Sequence, residues 1–151
     1  MSLVARVLLF FLVILSASAL AAEGMIEVKS PHGAKETVDR LESFLKGKEM
    51  TIFARIDHAA GAARVGKQLR PTELLIFGNP QGGTPLMECA QTIGIDLPLK
   101  ALVWQDATGQ VWVGYSDPVQ LVRRHNVPQC AAAEKIKATL TGLIEAALAA
   151  R

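Results

Sequence analysis

The sequence is short of several things that announce a function. It has no polybasic run; Arg123-Arg124-His125 is the only basic triplet, so the electrostatic footprint of a nucleic-acid binder is missing. It has no G-x-S-x-G nucleophile elbow, and no Lys follows its glycines in the order a phosphate-binding P-loop needs. Its three His and two Cys form no pair with a recognised metal-ligand spacing. Internal repeats, linkers and low-complexity tracts are absent, which leaves one domain as the unit to explain. These absences exclude nucleic-acid binding, leave no recognisable catalytic set and specify neither cofactor nor metal.

What is present begins with a targeting segment. Arg6 supplies a short positive region, Val7–Leu15 is an unbroken apolar run, and Ala19-Leu20-Ala21 fits the small-residue cleavage rule. The pattern predicts a signal peptide over residues 1–21 and a periplasmic or secreted protein. The apolar core is shorter than the ~20 residues that a membrane span requires, so no stable span is expected after cleavage. No Cys follows the apolar run, so a lipoprotein signal is not expected. The mature chain, residues 22–151, would hold about 130 residues, the usual size of one domain. The whole sequence carries 16 Lys+Arg against 14 Asp+Glu; without Arg6 the charge falls from +2 to near +1.

Cys89 and Cys130 have two readings. In an oxidising compartment they could pair, closing a loop of about 40 residues worth roughly 4 kcal/mol in the chain-entropy model. Alternatively they are separate, buried and inert thiols. Sequence alone does not bring them together.

Periodicity predicts alternating short elements. Met25–Lys29 reads as a strand. Ala34–Lys46 reads as a helix with Ala34, Val38, Leu41 and Leu45 on one face and with Glu36/Arg40 and Glu42/Lys46 as supporting pairs. Thr51–Ile56 is a second strand, and Asp57 caps a small-residue helix over His58–Lys67. Glu73–Phe77 reads as the third strand, and its run Leu74–Phe77 is apolar on both faces, which predicts a central strand covered twice. Gly78–Thr84 reads as a glycine-rich loop, followed by a helix from about Pro85 to Thr92. Lys100–Gln105 and Gln110–Ser116 form a hairpin whose three-residue loop ends in Gly109, in a left-handed conformation. That register sets Asp106 against Gln110 and Trp104 against Trp112, a cross-strand aromatic pair. Val103, Val111 and Val113 take the other face. Both faces of the hairpin are therefore apolar, and a sheet apolar on both sides in so small a chain predicts a homodimer. Asp117 and Pro118 start a helix to about Arg124, and the last helix runs from about Gln129 to Ala149 with Ala133, Ile136, Leu140, Leu143 and Ala147 as its stripe. The class is α+β, one compact domain.

Two segments could touch a ligand because each offers amides or polar groups at a helix start after a strand: Asp57-His58, and Asn79, Gly82, Gly83 and Thr84 in the glycine-rich loop. Their bland readings are a helix cap and a tight turn. His58 with Asp57 or Cys89 is the one arrangement that would suit an enzyme; Cys89 falls near mid-helix, away from the helix terminus that would activate a thiol. Trp104, Trp112 and Tyr115 could line an aromatic pocket, although such residues more often fill a core or an interface.

Five motifs in order carry a family resemblance: Arg55-Ile56-Asp57-His58, Leu69-Arg70-Pro71-Thr72, Phe77-Gly78-Asn79-Pro80, Gly94-Ile95-Asp96-Leu97-Pro98-Leu99-Lys100 and Tyr115-Ser116-Asp117-Pro118. Together they resemble the domain of unknown function 302 family over about residues 26–146. The resemblance implies a mixed or antiparallel sheet packed against helices in a TBP-like strand-helix-strands-helix arrangement, a dimer, and bacterial or archaeal origin. It brings no catalytic residue. Ser116 departs from the family's Tyr-Asn-Asp-Pro pattern, which weakens any role for an amide there. The functional expectation is an exported, dimeric, non-enzymatic protein that binds a small molecule or serves the cell envelope. The alternatives are an enzyme using His58 with Asp57 or Cys89, and a structural protein acting through its dimer surface.

Overall fold

The computed structural model describes residues 23–149; the expected signal peptide lies outside them. Five strands and five helices follow in the order β1 (Met25–Ser30), α1 (Ala34–Gly47), β2 (Thr51–Asp57), α2 (His58–Arg64), β3 (Thr72–Gly78), α3 (Pro80–Cys89), β4 (Leu99–Gln105), β5 (Val111–Ser116), α4 (Pro118–Arg124) and α5 (Ala132–Ala149), with a 3-10 turn over Gln91–Ile95 after α3. The strands form one antiparallel sheet in the order β1-β5-β4-β3-β2. The domain is α+β, as the alternation of elements predicts. Among the described residues no helix is long and apolar enough to cross a membrane.

One sheet face meets α1 and α5. Leu75, Phe77, Ala101, Val103, Val113 and Tyr115 point into a cluster with Val38, Leu41 and Leu45 of α1 and Leu140, Ile144 and Ala147 of α5, all nearly inaccessible. The helical periodicity of α1 is the cause on that side: its buried residues recur at three- and four-residue spacing, while Lys35, Glu36, Arg40 and Lys46 pair along its solvent side. The alternate strand residues Leu74, Ile76, Leu102, Trp104 and Trp112 belong to neither buried cluster and stay half-buried. β3 is thus interior but not central, and among the described residues it is covered on one face only. The apolar run Leu74–Phe77 predicts two covers; what it reflects instead is one helix-covered face and one open apolar face.

The hairpin has the expected register. Trp104 faces Trp112, Gly109 has φ +89°, and Asp106 N–H donates to Gln110 O at 2.9 Å. Asp106 then accepts from Thr108 Oγ1 at 2.6 Å, Thr108 N at 2.8 Å, Gln110 N at 3.1 Å and Trp112 Nε1 at 2.8 Å. The Thr108 and Trp112 bonds lead in holding its carboxyl down at about 2.

A second, smaller cluster lies beyond the sheet: Leu86 of α3, Ile93 of the 3-10 turn, Leu121 and Val122 of α4, Cys130, and Ala133 of α5. It forms a helical annex at the β3 and β4 end.

Candidate functional site: an apolar groove between α3 and α5

The segment after β3 is a helix rather than a loop. Asn79 takes an extended conformation (φ −146°, ψ 159°), its side-chain oxygen accepts from Gly82 N at 2.8 Å, and Pro80 occupies the first helical position. A side-chain cap plus a proline at the start fixes the helix despite two glycines inside it. Neither Gly82 nor Gly83 has a positive φ; what they provide is close approach. A Cβ on Gly82 would lie 3.3 Å from Asn79 Oδ1, and one on Gly83 3.4 Å from Leu97 Cδ1. Gly82 therefore leaves room for the Asn79 cap, and Gly83 lets Leu97, next to the cis Leu97–Pro98 peptide, sit against the helix backbone.

Across from α3 runs α5. Ala132, Lys135, Ile136, Thr139, Leu140 and Leu143 recur at three- and four-residue spacing and line a groove of about 770 Å³. Its opposite wall is α3 from Pro80 to Met87, and Leu97, Pro98 and Leu99 also contribute. Met50 and Phe53 also line it, and they flank the start of β2, which pairs with Gly78 just before α3. Phe53 falls at a register shift of β2, between Ile52 and Ala54, and is 58% exposed. Along α5 the lining stripe spans roughly 16 Å at 1.5 Å per residue. Its walls are largely aliphatic, with Asn79, Gln81, Thr84 and Thr139 as side-chain polar groups and Lys135 as the one charged lining residue among the described residues.

Covalent and polar ties hold the α3 wall. Cys89, the last residue of α3, is disulfide-bonded to Cys130, just before α5, with Cα atoms 5.9 Å apart. The bond fixes the end of one wall to the start of the other. Next to it, His125 Nε2 lies 2.6 Å from Asp96 Oδ2 and His125 Nδ1 lies 2.9 Å from Thr92 Oγ1, while Arg124 forms an ion pair with the same Asp96. Burial pushes the Asp96 carboxyl up, but bonds from Arg124 and then His125 outweigh it, and the net shift is downward. None of Thr92, Asp96 and His125 lines the groove. They tie the 3-10 turn and the segment after it to the end of α4.

The expected ligand residues divide. Asn79, Gly82, Gly83 and Thr84 line the groove. Asp57 and His58 do not join them: Asp57 pairs with Glu73 at one end of the β2–β3 ladder, and Gly78 pairs with Thr51 at the other. The separation is about 20 Å of strand at 3.3–3.4 Å per residue, so the expected shared location is not formed. Asp57 caps α2 through Ala60 N at 2.7 Å and borders a separate, more open depression with Arg55 and Glu73. Arg55 there donates to Glu73 at 2.7 Å and to Asp39 at 2.6 Å, which raises its pKa further. His58 is exposed and has no hydrogen-bonding partner among the described residues. Cys89 carries no free thiol. A dyad of His58 with Asp57 or Cys89 is therefore not assembled. The aromatic residues split as well: Tyr115 is buried and donates to Thr141 Oγ1 at 3.0 Å, while Trp104 and Trp112 stack on the open sheet face with centroids 6.4 Å apart.

Sequence reasoning missed Lys135, Met50, Phe53 and Leu97 as groove residues. The available signal was on α5, where apolar residues occupy more of the helix circumference than one buried stripe needs.

Comparison with known proteins adds three findings. The family described as "Domain of unknown function DUF302" matches residues 26–147. The fold is similar to the crystal structure of an uncharacterized conserved DUF302 protein from Bacillus stearothermophilus, at 26% identity and a TM-score of 0.69, covering 84% of this chain and 97% of that one. Proteins named "Fluoride-specific ion channel FluC 1" from Brucella suis and Brucella abortus are 46% identical over 119 residues, 79% of this chain but only 46% and 44% of theirs. The chain thus spans less than half the length of these curated relatives.

Proposed function

This chain belongs to the DUF302 family, and on that premise we propose that it is an exported, homodimeric, non-enzymatic domain that binds an apolar small molecule in the groove between α3 and α5. The groove is the observation that carries this reading. It is concave, mostly apolar, set between two helices at the end of a sheet, and furnished with a few polar side chains, the general form of a small-molecule site. The disulfide supports a preformed wall, and it suits the oxidising compartment that the N-terminal signal pattern implies. The open sheet face supports the dimer. Leu74, Ile76, Leu102 and the stacked Trp104–Trp112 pair offer a half-buried apolar surface of the composition found in interface centres.

Binding of the neutral dye Nile red tests the groove. Fluorescence is expected to rise on mixing with the protein and to be largely lost in Thr139→Trp, which fills the groove from an exposed position on α5. A dye signal unchanged by Thr139→Trp would refute the location.

A second reading rests on the relatives. Less than half of each Brucella protein matches this chain, and those proteins are named fluoride channels. Among the described residues here no helix suits a membrane span. The matched part would then be an accessory module rather than a pore. Fluoride efflux from liposomes bearing the Brucella suis protein, with and without the matched part, tests it. Efflux that persists without that part fits the module; efflux abolished in a correctly inserted truncation does not.

A further inference from the structure

Resting on the groove reading, we propose that the ligand is a free single-chain anionic amphiphile, its apolar tail in the groove and its carboxylate or phosphate head at Lys135. Among the described residues the groove has one charged lining residue, and it is a cation. Lys135 is exposed, on the first full turn of α5, and takes part in no ion pair among the described residues. Of the other cations near the helical annex, Arg124 pairs with Asp96, Lys137 with Asp117 at 2.8 Å, and Lys100 with the carbonyls of Asp96 and Pro98, while Arg123 of α4 is unpaired among the described residues but does not line the groove. Among the described residues no Asp or Glu lines the groove to repel an anion.

The geometry sets an orientation. Lys135 sits on the first turn of α5, close in sequence to the disulfide at the end of α3, whereas Met50 and Phe53 flank the start of β2, which pairs with Gly78 just before the opposite end of α3, and no charged residue of that segment lines the groove among the described residues. A head group at the Lys135 mouth therefore leaves the whole far end for an alkyl tail. Apolar burial supplies most of the affinity for such a ligand. The ammonium selects the head, since a hydrogen bond to a charged group is worth more than one between neutral groups.

Isothermal titration of the protein with dodecanoate and with dodecanol separates the two contributions. Dodecanoate is expected to bind about tenfold more tightly than dodecanol. Lys135→Met is expected to bring the dodecanoate affinity down to that of dodecanol, and Lys135→Arg to keep the preference. Equal affinity for the two in the unaltered protein would overturn the anionic head while leaving the groove reading standing. A preference that survives in Lys135→Met would overturn the placement. Binding of neither compound would remove the groove reading itself. Dodecanoate affinity that falls as protein concentration rises would assign the groove to a second copy of the chain. Cosedimentation with anionic phospholipid vesicles that free dodecanoate does not compete away would assign the surface to membrane lipid. Either result overturns the proposal.

Discussion

The sheet core and the helical annex are built differently. In the core, Val38, Leu41, Leu45, Leu75, Phe77, Val103, Val113 and Ile144 interlock at essentially zero accessibility across a helix-sheet interface. In the annex, Leu86, Ile93, Leu121, Val122 and Ala133 form a smaller cluster, and the disulfide and the Asp96–His125–Arg124 set supplement it. The core holds itself by burial. The annex, which provides the α3 wall of the groove, depends on a covalent bond and a shared carboxylate. Binding surfaces are drawn from the less stable parts of a domain, and here that part is stapled.

The largest effect expected is in the core. Phe77→Ala removes a fully buried ring and should cost about 3–5 kcal/mol, lowering one cooperative unfolding transition for the whole domain. A loss under ~1 kcal/mol would mean that the core is looser than its burial indicates.

Removing the disulfide should act elsewhere. Cys89→Ser with Cys130→Ser releases a loop worth about 4 kcal/mol at most in the chain-entropy model. Hydrogen exchange should quicken first in α3 and the 3-10 turn, while amides of β3–β5 keep their protection. Uniform loss of protection across the sheet would show the two regions to be one unit.

Gly114 probes the open face. A Cβ there would come within 2.8 Å of Met25 Sδ and 2.9 Å of Trp104 Cζ3. Met25 can move its flexible end, but the Trp104 ring must shift. Gly114→Ala should therefore cost ~1–3 kcal/mol and weaken the proposed subunit association, which sedimentation against concentration measures. Undiminished association would remove the Trp104 face from the interface.

The smallest effect is in acid. Asp106 titrates at about 2 in the folded chain against 3.8 ordinarily. A lowered folded pKa gives stability that is present above pH 3.8 and lost as pH falls toward 2. The stability gap between the protein and Asp106→Asn should thus be constant at neutral pH and narrow across that window. Asp96, also shifted downward, has the same sign, so acid should loosen the annex too. A gap that widens on acidification would contradict the Asp106 account, and annex amides of the 3-10 turn whose hydrogen exchange does not quicken in acid would contradict the Asp96 one.

How much of this was legible in the sequence follows from the range of the interactions. The β4–β5 hairpin could be read to the residue because its register depends on Gly109 and on alternation over a dozen positions. The pairs along α1 and the Asp117–Pro118 cap were equally local. The start of α3 was misplaced by five residues, since Gly82 and Gly83 argue for a loop by propensity, and the Asn79 cap with Pro80 overrides them. The place of β3 depends on which strands pair at long range, which an apolar run does not encode. The groove was least legible, because α3 and α5 are separated by more than forty residues and only the fold sets them side by side.

The most direct test of the binding reading is native mass spectrometry of the protein purified from its own host. The account predicts two subunits, each carrying a bound amphiphile that organic solvent extracts and Thr139→Trp prevents. A ligand-free protein that takes up no added dodecanoate would contradict it.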